Sequence, residues 1–464
     1  MIEEDTVDAR DSGGGVRRPW EGRRLHFVGI GGAGMSGLAL IAHRLGASVT
    51  GSDQRVSEYL APLERCGIQP ALGHSAEHVP AGAEVVYSSA VAADNPELEA
   101  GSRTIHRSEL LGELSAMKRC IAVAGTHGKT TTTAMVVAIM RGAGLDPAYV
   151  VGGVLRETGL NADWGSGDFI VIEADESDRS LLAYEPEIAV LTNAELDHHA
   201  TYASRLDLEE TFARFLSRAE TAVVWNRPEL VALARGARAL IAYDAPERES
   251  SPHGTSFRWH RWRVQLAVSG AHNALNAAAA LEAAHAAGVE PAAALAAIRG
   301  FQGAKRRLEL IGTTDAGVHI YDDYAHHPTE VAAAIAGARE LAPPRLVAVF
   351  QPHLYSRTRA FADRFGAALA AADLCCVLDV YPAREHARDF PGVDGRLVAA
   401  ACADARTDAT VAWTPSIADA RVWLERTLRP GDLCLLMGAG DVDRLGRELL
   451  DAHPRGGANG AARR

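Results

Sequence analysis

The sequence predicts an α/β protein of three domains, each built on a largely parallel sheet. Three observations carry this. The chain has 464 residues, too many for one core and enough for about three domains. Twice, at 25–45 and at 120–140, an apolar run leads through a glycine-rich turn into a helix-like run. Strand and helix patterns then alternate to the end of the chain, as in doubly wound parallel sheets.

Taken in order, the first block covers 23–117. Strand patterns at 25–30, 48–53 and 84–89 flank a helical run at 38–45. The second block, 118–308, opens on the apolar run Cys120-Ile121-Ala122-Val123, followed by a turn and a helical run at 131–140. It continues with strands at 169–174 and 188–192 and an Ala-rich helix at 272–287 that stops at Gly288. The third block, 309–454, alternates strands at 318–321, 346–350, 374–380 and 433–437 with helices at 329–341 and 358–371. The ends, 1–22 and 455–464, are polar, Gly-rich or Arg-rich and read as disordered tails.

Composition narrows the function. With 47% hydrophobic and 23% charged residues the chain reads as soluble and globular. No apolar run approaches ~18 residues, and the N-terminus has no apolar signal core, so membrane insertion and secretion are not expected. Cys66, Cys120, Cys375, Cys376, Cys402 and Cys434 are scattered and form no C-x-x-C pair. That fits reduced thiols in a cytoplasmic protein. A net charge of −12 argues against a nucleic-acid partner.

The strongest motif is Ala124-Gly125-Thr126-His127-Gly128-Lys129-Thr130. Strand, glycine turn, Lys-Thr and helix are the parts of a phosphate-binding loop, with backbone N–H groups and the Lys on phosphates and the Thr hydroxyl on Mg²⁺. Only three of the 47 Lys and Arg residues are lysine, and one of them stands here. A compact ammonium fits a tight loop where a guanidinium fork does not. The loop departs from the long form of the motif, because Val123 sits where its first glycine would be.

The first glycine loop matches G-x-G-x-x-G at Gly29, Gly31 and Gly34, with Asp53 about twenty residues on. By itself it indicates the pyrophosphate of some nucleotide, and an NAD-linked oxidoreductase or a non-catalytic nucleotide-binding regulator is the alternative. The acidic run 173–178 follows a buried strand, where a Mg²⁺ ligand belongs. Glu173 is the first choice, with Asp175 or Glu176 as substitutes. Past the next strand, His198 is a candidate ligand for a second cation, while His199 is read as packing. Asn273 and Asn276 share one helix face at its N-terminus. The segments 302–307, 322–328 and 351–359 bring Arg307, Asp322, His326, His353 and Arg357 to strand ends and to a domain boundary.

Together, the segments 26–37, 125–130, 173–178, 192–202, 272–276, 322–330 and 351–358 resemble the Mur ligase family, in the same order, over roughly residues 23–450. The resemblance implies a Rossmann-like UDP-binding domain, a central P-loop ATPase domain and a Rossmann-like C-terminal domain. It implies amide formation through an acyl phosphate in peptidoglycan precursor synthesis, with ATP, UDP-N-acetylmuramate and L-alanine as substrates and a monomer or homodimer. Mg²⁺, one ion or two, is the implied metal, with Mn²⁺ as a substitute.

Residue by residue, it implies that Gly31, Gly32, Ala33, Gly34, Met35 and Ser36 hold the UDP pyrophosphate, near Asp53, His74, Ser88 and Ser89. Gly125, Thr126, His127, Gly128, Lys129, Thr130 and Thr131 would hold ATP phosphates. Asn273 and Asn276 would face the adenine, Arg307 the phosphates and Asp322 the ribose. Thr130, Glu173 and His198 would ligate metal. Tyr324, His326, His353 and Arg357 would line the amino-acid and γ-phosphate side, with His326 or His353 as proton acceptor. Sibling ligases bridge two metals with a carbamylated lysine. No lysine lies between Lys129 and Lys305, so that bridge is impossible here, and Glu209 or Glu210 is the expected partial substitute. A sibling that attaches a recycled peptide to the same sugar is the other member to weigh. Three domains serving one site imply closure on binding.

Overall fold

The structure is a computed structural model that describes residues 18–57, 59–198, 201–406 and 410–451. His199, residues 1–17 of the first tail and the whole of the second tail lie outside the described residues. Two compact units emerge, one ending at Arg107 and one beginning at Ser108. Residues 18–22, expected as tail, are structured. Trp20 is buried, its backbone N–H donates to Leu45 O at 3.0 Å, and Arg23 sits over its ring at 4.6 Å. One buried indole anchors a segment whose polar composition suggested otherwise.

The first unit holds a five-stranded parallel sheet in the order Ala71–Leu72, Ser48–Asp53, Arg24–Val28, Glu84–Tyr87, Arg103–His106. Its central strand is buried from Leu25 to Val28, as an apolar run flanked on both edges must be. The following helix, Ala33–Arg44, starts five residues earlier than its apolar stretch suggests. Gly32 caps it without a side chain, and Met35 is the one large apolar residue in a first turn of otherwise small residues, so the start carried little hydrophobic signal.

In the second unit a seven-stranded sheet runs Ala239–Tyr243, Thr221–Trp225, Ile188–Leu191, Arg119–Ala124, Phe169–Glu173, Ala148–Val150, Ala162–Asp163, all parallel except the last. The strand feeding the phosphate loop is central, between the strands that end at Glu173 and Leu191. Parallel pairing puts those three carboxyl ends on one edge, where open α/β sheets bind ligands. Helices Lys129–Gly142 and Ala271–Ala286 pack together through buried alanines at 277–280.

A three-stranded antiparallel ribbon, Glu249–Ser251, Gly254–Trp259 and Trp262–Leu266, was not legible in the sequence. Its tight turn uses His260 at φ +49° where the usual signal is Asn or Gly. The third sheet runs Glu309–Thr313, His319–Asp323, Leu433–Met437, Leu346–Phe350, Leu374–Val377, Thr410–Trp413, with only the first strand antiparallel. Helices Pro328–Glu340 and Tyr355–Leu369 leave the carboxyl ends of two of its strands. All six cysteines are free thiols, five of them buried. Among the described residues no helix is long and apolar enough to cross a membrane.

Candidate active site

The phosphate loop is shaped by two glycines. A Cβ on Gly125 (φ +131°) would strike Thr192 Oγ1, and one on Gly128 (φ +79°) would lie 2.5 Å from Asn276 Oδ1. Both positions need left-handed backbone and close approach, which only glycine supplies. The loop is tied to the neighbouring strand end. His127 N donates to Asn193 Oδ1 at 2.9 Å, and Thr126 Oγ1 donates to Glu195 O at 2.8 Å. Lys129 turns back over the loop. Its Nζ donates to Gly125 O (2.6 Å), Thr126 O (3.2 Å) and Glu176 Oε1 (3.0 Å). Thr131 is buried in the first helical turn.

Beside the loop, Thr130 Oγ1 donates to Glu173 Oε1 at 2.9 Å, and Gly152 N donates to Glu173 Oε2 at 2.6 Å. Burial raises the Glu173 carboxyl above its ordinary value, although Lys129 and the Gly152 N–H oppose this. A hydroxyl and a carboxylate side by side in a buried corner are the oxygen donors that a hard divalent cation takes. Arg307 reaches Thr130 Oγ1 at 3.4 Å. His198 Nε2 lies 3.3 Å from Glu176 Oε1, with a left-handed backbone at φ +54°. Of the expected lysine substitutes, Glu209 pairs with Arg205 at 2.7 Å and Glu210 is exposed. Two carboxylates meet His198 Nε2, Glu176 at 3.3 Å and Asp197, which Arg357 engages, at 3.8 Å.

The third sheet closes over this edge. Arg357, 4% exposed, donates from Nε and Nη2 to both oxygens of Asp197, also 4% exposed, at 3.2 and 3.0 Å. Burial opposes ionisation of Asp197, but Arg357 and His198 outweigh it and hold the carboxyl well below the usual range. Arg357 Nη1 also donates to His353 Nδ1 at 3.2 Å, so that nitrogen is unprotonated. His326 is the opposite tautomer, because its Nδ1 lies 2.9 Å from the carbonyl of Tyr324, which only accepts. Burial lowers His326 to about 4 and His353 to about 3, leaving both neutral at pH 7. Tyr324 is partly exposed, with Arg306 and Arg307 over its ring at 5.1 and 5.7 Å.

His127 joins the phosphate loop to the third sheet. Its Nε2 is 3.6 Å from Glu195 and its Nδ1 3.5 Å from Glu330, and its ring lies 4.4 Å from that of His327. His127, Glu195 and His327 present ligand atoms within 4.8 Å of one another. Hydrogen bonding speaks against a metal there. His327 Nδ1 accepts Thr329 N–H at 3.3 Å to cap its helix, so the remaining proton sits on Nε2. Burial disfavours charge on His127, but Glu195 and Glu330 outweigh it and raise the ring to about 9.

The folded pKa of His127 thus lies above the unfolded value of about 6.5. Its stabilising contribution is complete below pH 6.5 and is lost as pH rises through 9. Thermal melts between pH 6 and 10 should show a decline in Tm from about pH 6.5 to about 9 that His127→Gln reduces. Equal slopes in the two proteins would refute the charge on His127.

Other expected residues are turned toward protein partners. Asn276 faces Gly128 and accepts from Thr132 Oγ1 at 3.3 Å, and Asn273 Nδ2 donates to Ser269 O at 2.7 Å. Asp322 is buried against Arg306 at 3.0 Å, and burial raises its carboxyl to about 7. In the first unit Asp53, expected on a ribose hydroxyl, accepts Gly31 N at 2.9 Å and Arg55 N at 3.0 Å, bracing the glycine loop. Ser36 Oγ donates to Ala33 O, and Met35 is buried. Ser88 and Ser89 follow the strand Glu84–Tyr87.

Sequence reasoning missed Glu97. Its carboxylate is wholly buried, and it accepts from Ser52 Oγ at 2.6 Å and Ser75 N at 3.2 Å. His74 Nδ1 and His78 Nδ1 lie 3.1 and 3.2 Å from it, and His26 Nε2 lies at 3.7 Å. Its four side-chain partners are 19 or more residues away, so no local spacing could announce it.

Known proteins resemble this chain along most of its length. The chain matches family models described as "Mur ligase family, catalytic domain" over 24–119, "Mur ligase middle domain" over 123–284 and "Mur ligase, glutamate ligase domain" over 306–440. It is similar to the UDP-N-acetylmuramate–L-alanine ligase of Renibacterium salmoninarum, at 44% identity over 453 residues, covering 92% of this chain and 96% of the relative. It is also similar to the crystal structure of the UDP-N-acetylmuramate-alanine ligase MurC of Thermotoga maritima. That match has 27% identity and a TM-score of 0.80, and covers 92% of this chain and 98% of that one. A murein peptide ligase from Psychrobacter arcticus matches at 26% identity and a TM-score of 0.71, covering 93% of this chain and 98% of that one. Three family models in sequence, and a relative this similar along nearly its whole length, place the chain in the Mur ligase family.

Proposed function

We propose that this protein is a cytoplasmic ATP-dependent ligase that joins L-alanine to the lactyl carboxylate of UDP-N-acetylmuramate, releasing ADP and phosphate, in peptidoglycan precursor synthesis. The observation that carries the reading is the convergence of Lys129, Thr130, Glu173, His198 and Arg357 on one edge, from the phosphate loop, two strand ends and the third sheet. Residues 23–117 bind the UDP-sugar, 118–308 bind ATP, and 309–454 contact the amino acid.

The carboxylate must become an acyl phosphate before an amine can displace an oxygen from it. In the first step a carboxylate oxygen attacks the γ-phosphorus and ADP leaves. Two anions meet, so the site must be cationic. Lys129, Arg307 and Arg357 provide a positioned clamp, which is the main resource of phosphoryl-transfer catalysis. Thr130 and Glu173 fit one Mg²⁺ and His198 a second, and bound cations there supply further charge neutralisation on the phosphate oxygens. In the second step the alanine nitrogen attacks the carbonyl carbon and phosphate leaves.

At pH 7 on the order of 10% of an α-amine of pKa about 8 is neutral, so a strong base is not required. His326 takes the proton, because its Nδ1 is committed to Tyr324 O and its Nε2 carries the lone pair. His353 has the opposite tautomer and cannot accept at Nε2.

On the UDP side, Gly31 to Ser36 offer a helix N-terminus to the pyrophosphate, and Ser88 and Ser89 follow the neighbouring parallel strand. His74 is held by Glu97 and Ser52. Glu97→Gln should raise KM for UDP-N-acetylmuramate about tenfold, the loss of one charged hydrogen bond, with kcat and the ATP KM within twofold. An unchanged KM would remove Glu97 and His74 from substrate binding.

The deciding assay is phosphate release from ATP with UDP-N-acetylmuramate and Mg²⁺, adding single amino acids. Release that requires both the UDP-sugar and L-alanine is expected. The fold likeness to a murein peptide ligase supports a second reading, and release with a tripeptide but not alanine would select it. No release in any combination would overturn the ligase reading.

A further inference from the structure

We infer that Glu176 is a ligand of the second divalent cation, holding it jointly with His198 in the place a lysine-derived carbamate cannot fill in this chain. The inference rests on the two-cation reading proposed above. A second metal bound by one imidazole and substrate oxygens alone would be weakly held, and a carboxylate is the missing donor. Glu209 and Glu210 do not supply it, since one is paired with Arg205 and the other is exposed.

Glu176 does have the right placement. Its Oε1 lies 3.3 Å from His198 Nε2. Adjacent ligands of an octahedral Mg²⁺ or Mn²⁺, each about 2.1 Å from the ion, stand about 3 Å apart, so the pair spans one coordination edge. The side chain is only 1% exposed. A buried carboxylate needs cationic or hydrogen-bonding partners on its oxygens. Here Lys129 Nζ lies 3.0 Å from each oxygen, and Oε2 makes no hydrogen bond.

Both ligands are fixed from behind. Tyr202 Oη donates to Glu176 O at 2.6 Å, and Arg179 N donates to the same carbonyl at 3.0 Å. His198 sits in a left-handed conformation held by Asp197 Oδ1 on its N–H at 2.7 Å and by the N–H groups of Thr201 and Tyr202 on its carbonyl. Backbone strain of this kind persists where a site over-determines it.

Lys129 is the cation that Glu176 holds in this structure, and Lys129 is also the phosphate-loop lysine. When ATP draws Lys129 onto its phosphates, Glu176 is left buried without a countercharge. A divalent ion shared with His198 restores the balance.

Mn²⁺ binding separates a ligand from a mere countercharge of Lys129. The loss of the free-ion electron paramagnetic resonance signal is titrated with the full chain, the β,γ-imido analogue of ATP and UDP-N-acetylmuramate. The wild type should bind two Mn²⁺ per chain. Glu176→Gln, which keeps the shape of the side chain, should bind one, with the affinity of the remaining ion within threefold of the wild type. His198→Ala should lose the same ion, and the double variant should lose no more. If Glu176→Gln still binds two ions, Glu176 is only a countercharge and the inference falls while the two-cation reading stands. If it loses both ions, Glu176 acts on the whole loop and the inference falls as well. If the wild type binds one, the two-cation reading fails and takes the inference with it.

Discussion

Replacing Lys129 by alanine should lower turnover at least about 10³-fold while binding of UDP-N-acetylmuramate stays unchanged. Preorganised cations at a transferring phosphoryl group are worth at least this much, because they act where water is excluded. Lys129 is the lysine of the loop, with little of its side chain exposed. It is fixed by Gly125 O, Thr126 O and Glu176, and the three acidic groups Glu176, Asp175 and Glu173 outweigh burial to keep it charged. The glycine loop and Glu97 lie in the first unit, in a separate sheet. Direct titration of the UDP-sugar should therefore give the wild-type Kd. Near-normal phosphate release by the variant would end the assignment of the loop. Lost UDP-sugar binding would mean that the substitution damages more than the ATP site. Lys129→Arg is also expected to fail, since a planar fork cannot make the same three contacts inside the turn.

Asp197→Ala should cost about 3–5 kcal/mol of stability in the second unit and most of the activity. The substitution leaves the Arg357 guanidinium buried without the carboxylate that both its Nε and Nη2 engage. It also frees a ring and a loop, because Asp197 anchors the backbone of His198. The double variant Asp197→Ala with Arg357→Met should recover at least half of the lost stability, since it removes the stranded charge, and none of the activity. Urea midpoints of the two variants test this. A single variant within about 0.5 kcal/mol of the wild type would show that the pair is solvated in solution. A double variant no better than the single would show that packing, not charge, sets the cost.

These predictions depend unequally on what could be read from the chain. The phosphate loop was legible because its chemistry is local. Glycines, a lysine and a threonine within six residues, between an apolar run and a helix, are together the parts of a phosphate-binding loop. The carboxyl-end positions of Glu173 and His198 were legible for the same reason, as each follows a buried strand. Helix starts were less so. Ala33–Arg44 and Tyr355–Leu369 begin before their apolar stripes do, in residues at the carboxyl ends of strands that carry little hydrophobic pattern. The hairpin at His260 was hidden because a histidine took the left-handed position that normally advertises a turn.

By itself the sequence determined the α/β class, the order of the domains, the strand–glycine turn–helix at 120–140 and the lack of any lysine between Lys129 and Lys305. All of these follow from short-range patterns of side-chain period, glycine placement and composition. Only the tertiary structure decided the partners. Arg357 meets Asp197 across 160 positions, Lys129 meets Glu176 across 47, and Ser52 meets Glu97 across 45. It likewise turned Asp53 onto the Gly31 N–H and Asp322 onto Arg306. A buried polar group must be satisfied by whatever the fold brings within about 3 Å, and that neighbour leaves no trace in the local sequence.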